Sequence, residues 1–185
     1  AGPVYAGSVI LNQQKLTQLD EKTRNYLRDS KKLTPKRRAE MVEVIAEISI
    51  AQATASSSVE EIEQKGIVGA TFLAMRRAIG ILKSPIDCLL VDGNKPLPDY
   101  NGKQASVING DDLCYCIAAS SILAKEKRDQ FMKDKAQEFP HYGFERHVGY
   151  GTKQHLEAIA KQGVSIIHRR NFAPIKKQLS ATNGL

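Results

Sequence analysis

Three cysteines, no long apolar run and no basic leader set the first limits on this 185-residue chain. A disulfide scaffold needs more cysteines in a shorter chain. A structural zinc site usually needs two ligand pairs with about two to four residues between partners. Cys114 and Cys116 are two apart in LCYC, and no second pair follows. Buried free thiols are expected at all three cysteines, with a metal site as the alternative. No stretch approaches the roughly 18 apolar residues of a membrane span, so no membrane partner is expected. The opening AGPVYAGSVIL has no basic region ahead of its apolar part and does not read as a signal peptide. A cytoplasmic protein is the expectation. Internal repeats, low-complexity segments, a Walker-type phosphate loop and a serine-centred nucleophile elbow are all missing. His147, His155 and His168 lack the i, i+4 pairing of a helical zinc site. They read as surface or phosphate-facing groups.

What the chain has is ordinary globular composition with an excess of positive charge. It is 42% hydrophobic and 25% charged, which fits one soluble domain with a short appendage. The net charge is +7 and the pI about 9.3, which points to an anionic partner such as nucleic acid. The charge is clustered. DSKKLTPKRR places Lys31, Lys32, Lys36, Arg37 and Arg38 against one acid, and 12 Lys and Arg face 6 acids from Ile122 onward. A solvated helix start and tail would show the same pattern.

Strand and helix signals alternate along the chain. PVYAGSVIL reads as a strand ending near Asn12. Thr34 can cap a helix with Pro35 in its first turn, and Met41, Val44, Ile45 and Ile48 form its apolar stripe. ISIAQATAS reads as a second strand. Ser58 and Glu61 have capping-box spacing, and Gly66 interrupts the helix that follows. IDCLLVD, bounded by Pro85 and Gly93, reads as a buried strand, and QASVING as a shorter one. A helix is predicted from about Leu113 to Glu138, before Pro140, and a last one over 153–162 between Thr152 and Gly163. This alternation predicts the α/β class.

Two acids sit at predicted strand ends. Asp92 closes LLVD, and Asp111 follows SVING. Magnesium takes one or two carboxylates and completes its shell with water and phosphate oxygens, and paired ions can hold both oxygens of a phosphodiester displacement. Alternatively, Asp92 is a turn former before Gly93, and Asp111 or Asp112 caps the next helix. Tyr150, between two glycines, can present its ring for stacking on a base or sugar, or sit half-buried in an ordinary turn.

The motifs DSKKLTPKRR, ATFLAMRRAI, LLVDGN, INGDDLCYCIAASSILAKEKRD, YGFERHVGYGTKQHLEAI and HRRNFAPIK, in this order and spacing, resemble bacterial ribonuclease HII. The resemblance covers essentially the whole chain. It implies a ribonuclease H-like fold, a mixed five-stranded sheet flanked by helices with a C-terminal helical extension. Residues 1–150 would be the catalytic domain and 151–185 the extension. It also implies manganese- or magnesium-dependent cleavage of RNA–DNA hybrids and of duplex DNA carrying single ribonucleotides, by a monomer serving replication and repair.

Residue by residue, the resemblance makes Asp92 and Asp111 metal-binding carboxylates. Asp111 is chosen because it lies ten residues before Ser121, and Asp112 falls one position too late. Tyr150 matches the tyrosine that packs on deoxyribose at the RNA–DNA junction. Ser30, Lys31 and Lys32 match a loop that contacts the substrate backbone. Three features depart from the family pattern. An Asp-Glu-Ala-Gly-Arg-Gly segment, with two further carboxylates and the reader of the 2′-hydroxyl, precedes the family's AGPV and is absent from these 185 residues. Gly66 stands where an asparagine is usual, and DDLCYC differs from the usual run. The expectation is an N-terminally truncated chain with its first strand missing and negligible activity, or, alternatively, a non-catalytic nucleic-acid-binding remnant.

Overall fold

The structure, a computed structural model, describes residues 1–28 and 32–182. The chain divides into two compact units, one of Ala1–Val4, Ser57–Ala70 and Lys127–Leu185, the other of Tyr5–Ser56 and Thr71–Glu126. No helix among the described residues is long and apolar enough to cross a membrane.

In the second unit, β1 (Val4–Leu11) pairs with β2 (Ser49–Ser57). Between them run α1 (Gln13–Gln18), α2 (Glu21–Arg28) and α3 (Pro35–Ile48). The Asn12 side chain accepts the Lys15 amide and starts α1, and Thr34 accepts the Arg37 amide to start α3. The predicted stripe of α3 is inside, with Met41, Ile45 and Ile48 buried beside Leu16, Leu27, Ile122 and Leu123. Arg38 also turns inward, 5% exposed, and its Nε donates to Glu126 at 2.8 Å. The alternative of a solvated helix start therefore does not hold at this residue. A buried guanidinium must have a partner, and Glu126 supplies it.

β3 (Leu89–Asp92) runs parallel to β4 (Gln104–Val107), with Asp92 opposite Val107. The Gln104 side chain pins the connecting loop by accepting from the Leu97 amide at 2.7 Å and donating to the Leu97 carbonyl at 3.1 Å. The four strands of the described residues thus form two pairs, β1–β2 and β3–β4, not one continuous five-stranded sheet. The run 86–92 also differs from expectation. The strand is four residues long, and only Val91 in it is buried. Cys88 and Leu90 are exposed, while Cys114 and Cys116 are half-buried; all three cysteines are free. Among the described residues, no group of three or more His, Cys, Asp or Glu side chains is arranged to hold a metal.

The predicted helix at Leu113 is two helices, α5 (Gly110–Leu113) and α6 (Tyr115–Glu138), separated by extended backbone at Cys114. Asp111 and Asp112 lie in the first turn of α5, and neither is its cap.

α4 (Val59–Ile81) begins with the reciprocal Ser58–Glu61 capping bonds and passes through Gly66 at φ 70° and ψ 167°. No atom lies within 4 Å of where a Cβ would stand, so backbone angles alone demand glycine there.

In the first unit, α7 (Phe144–His147), α8 (Lys153–Gln162) and α9 (Ala173–Thr182) follow one another, and α8 has the predicted Thr152 cap and Gly163 stop. Helices α1, α2, α7 and α9 carry no strong sequence signal and were not anticipated. The three histidines read as surface groups are buried, with His147 at 7%, His155 at 3% and His168 at 1% exposure. They surround the fully buried Phe144 ring, at centroid separations of 5.9, 5.4 and 5.9 Å. His155 Nε2 and His168 Nε2 stand 3.0 Å apart, so one donates and the other accepts. Burial first, then neighbouring positive charge, lowers both from about 6.5 to about 4.

Two outcomes are expected. Gly66→Asn should lower stability by roughly 1–3 kcal/mol, read from urea midpoints, while Gly80→Ala, in open helix, should not. Above pH 6.5 the His155–His168 pair is neutral in both folded and unfolded chains. As pH falls from about 6.5 to about 4, the unfolded chain takes up protons that the folded one refuses. Urea stability should therefore decline across that window by roughly 3 kcal/mol for each histidine, and more gently in His155→Gln.

Candidate metal-binding site

Parallel pairing places the ends of β3 and β4 side by side, and both candidate carboxylates emerge there. The pairing runs one residue past the strands, as Gly93 N donates to the Val107 carbonyl at 2.9 Å. Gly93 takes φ +106°, which turns the chain sharply away just after Asp92. On the other strand, Asn109 adopts a left-handed conformation, φ 55° and ψ 40°, and turns the chain into α5. Asparagine tolerates these angles better than most residues.

That turn aims the Gly110 amide at Asp92, whose Oδ1 accepts it at 3.0 Å. A carboxylate at the first N–H of a helical turn meets a favourable partial positive charge. Asp111 is the next residue. It is 5% exposed, whereas Asp92 opens to solvent. The structure therefore brings together one buried and one exposed acid, on segments joined by a single charge-assisted bond. Any side chain at 110 would have to push its neighbours aside. A Cβ there would stand 2.5 Å from Ile117 Cδ1 and 3.2 Å from the bonded Asp92 oxygen. Nothing in the composition or periodicity of the sequence marked this residue.

All donors at this corner are oxygens, which suits a hard cation such as magnesium or manganese and not zinc. Two carboxylates meet the protein's usual share of a magnesium shell, with water and phosphate filling the rest.

The other candidates lie elsewhere. Lys32 is exposed in the second unit, while Ser30 and Lys31 fall outside the described residues. Tyr150 belongs to the first unit, between Gly149 and Gly151, and the residue is 49% exposed. The Arg128 guanidinium lies 4.6 Å from the Tyr150 ring centroid. The Tyr150 carbonyl pairs with His155 Nδ1 at 2.8 Å, so the buried histidines help fix the backbone that presents this ring. Arg169 donates to the Gly2 and Pro3 carbonyls at 2.7 and 3.1 Å, and burial, then Arg128, lowers it to about 10. Arg128 and Arg169 were not singled out from the sequence.

Comparisons with known proteins give the family and the fold. The sequence matches the Ribonuclease HII family over residues 1–175. It is 42% identical over 182 residues to ribonuclease HII of Endomicrobium trichonymphae, covering 98% of this chain and 83% of that protein. In structure it is similar to the ribonuclease H2 of Pyrococcus horikoshii OT3, with a TM-score of 0.74, 18% identity and coverage of 99% and 100%. It is also similar to Bst-RNase HIII, solved in complex with Mn2+, with a TM-score of 0.71, 16% identity and coverage of 100% and 66%. At these identities the structural likeness shows the fold, a mixed α/β architecture with a C-terminal helical extension.

The Gly110→Ala variant should fold but displace the Asp92 carboxylate. Manganese affinity, followed by electron paramagnetic resonance of the free ion, should fall roughly tenfold. Gly80→Ala should bind as the parent does.

Proposed function

The chain belongs to the ribonuclease HII family, and we propose that its site serves hydrolysis of RNA in RNA–DNA hybrids and at single ribonucleotides in duplex DNA. In this reading, water attacks phosphorus on the 5′ side of the ribonucleotide. The bond to the upstream 3′-oxygen breaks, leaving a 5′-phosphate and a 3′-hydroxyl. The observation that carries the reading is the Gly110-to-Asp92 bond, which ties Asp92 to the residue just before Asp111.

Asp92 and Asp111 would hold the manganese or magnesium ion. When bound, that ion supplies positive charge beside the scissile phosphate. Exposed Asp92 can meet both ion and substrate, while buried Asp111 has little freedom to move. The Tyr150 ring, backed by Arg128, would pack on a sugar at the RNA–DNA junction. Lys32, with Ser30 and Lys31, would contact the phosphate backbone. Residues 1–150 would then form the catalytic domain and 151–185 the helical extension. The net charge of +7 supports sequence-independent affinity for the duplex.

With two carboxylates at the corner, residues 1–185 by themselves should bind metal weakly and cut negligibly. Incubated with manganese and a duplex carrying one ribonucleotide, this chain should bind with steep salt dependence and leave the duplex whole. Asp92→Asn and Asp111→Asn should each lower manganese affinity by about tenfold or more. Efficient cutting by residues 1–185 would overturn the weak-site prediction. Unaltered manganese binding in both variants would overturn the site assignment. Binding of the duplex with no manganese uptake at all would favour a purely nucleic-acid-binding role.

A further inference from the structure

Buried imidazole rings hold the backbone at Tyr150 from both sides. Before it, the Gly149 amide donates to His147 Nδ1 at 3.2 Å. After it, the Tyr150 carbonyl pairs with His155 Nδ1 at 2.8 Å. The two rings stack, with centroids 4.6 Å apart and planes 20° from parallel. The clamp is therefore inside the first unit, while the clamped residue is exposed. Without it this turn would be loose, because Tyr150 stands between two glycines and Gly149 takes φ +79°.

The partners of each ring nitrogen decide where every proton sits. A backbone N–H can only donate, and a carbonyl can only accept. The Gly149 amide thus leaves His147 Nδ1 bare, and His147 Nε2–H donates to the Tyr142 carbonyl at 2.8 Å. The Ser165 amide donates to His168 Nδ1 at 3.0 Å, and the Ser165 hydroxyl lies 2.7 Å from the same bare nitrogen. His168 accordingly carries its proton on Nε2. The Tyr150 carbonyl requires the opposite tautomer of His155, with the proton on Nδ1.

His155 Nε2 is then bare and accepts His168 Nε2–H across 3.0 Å. Protons placed from the two ends meet correctly in the middle, with no donor facing a donor. A chain of one direction results, from Ser165 through His168 and His155 to the Tyr150 carbonyl. The other tautomer at either ring would leave buried groups unpaired or opposed, which is costly.

We infer that His155 and His168 are positioning residues, which act through this chain to hold Tyr150 in one orientation for packing on a nucleic-acid sugar. The inference rests on the duplex-contact reading of Tyr150 given above. It adds that the hydrogen-bond direction of the rings, and not only their bulk, sets the ring's usefulness.

The test uses residues 1–185 and has two parts. Imidazole nitrogen NMR at neutral pH, without nucleic acid, reads the tautomers directly. His155 should be the Nδ1–H form, and His168 and His147 the Nε2–H form. A different form at His155 or His168, or averaging between forms, overturns the chain. The second part compares amide substitutions, because asparagine puts its amide near the place of Nδ1 and glutamine near that of Nε2. His155→Asn keeps the donor to Tyr150 and His155→Gln loses it, whereas His168→Gln keeps the donor to His155 and His168→Asn loses it.

In the unaltered chain, Tyr150→Ala should weaken binding to a duplex with an RNA–DNA junction about tenfold. The cost should persist in His155→Asn and His168→Gln and shrink to less than about twofold in His155→Gln and His168→Asn. An equal cost in all four backgrounds overturns the positioning role. So does glutamine surpassing asparagine at both positions, the order that packing alone predicts. If Tyr150→Ala costs nothing in the unaltered chain, the duplex-contact reading falls together with the role resting on it, even with the tautomers as stated.

Discussion

The bond from the Gly110 amide to Asp92 Oδ1 ties the end of β3 to the start of α5, where both candidate metal-binding acids lie. It depends on the parallel register of β3 and β4, which sets Asp92 opposite Val107. Parallel strands cannot be joined by a tight hairpin, so the loop between them must be long. The Gln104 side chain anchors that loop, and left-handed Asn109 then ends β4 by turning into α5. A shift of register by one residue would move the Asp92 carboxylate to the other face of the pair. The site is thus a consequence of backbone pairing, refined by a close approach of Ile117 and Asp92 to Gly110.

The buried polar groups outside this corner have a structural meaning. Arg38 with Glu126 in one unit, and His155 with His168 in the other, are pairs whose members would each be costly to bury alone. The histidines are kept neutral at physiological pH by burial, and their rings serve as packing around Phe144. Their functional contribution is indirect, since His155 holds the carbonyl of Tyr150, whose ring remains exposed. Positive charge left at the surface suits a polyanionic duplex.

β3 pairs with β4, and that pairing sets the register of the site. Four residues paired on one side make a weak platform for a carboxylate that must hold its position against a divalent ion.

Local rules made much of this legible in the sequence. The caps at Thr34, Ser58 and Thr152, the break at Gly66 and the stripe of α3 each involve residues within about a turn of one another, and such interactions survive translation from string to structure. Asp92 and Asp111 were legible as strand-end acids and by their family motifs. What tertiary structure alone decided is burial and pairing across long separations. The same apolar run that reads as a buried strand is half-exposed because its second edge has no partner among the described residues. Three polar histidines are inside because residues from Tyr142 to His168 close around Phe144. Sequence patterns fix which groups one element can present; which of them are desolvated depends on elements brought together from far along the chain.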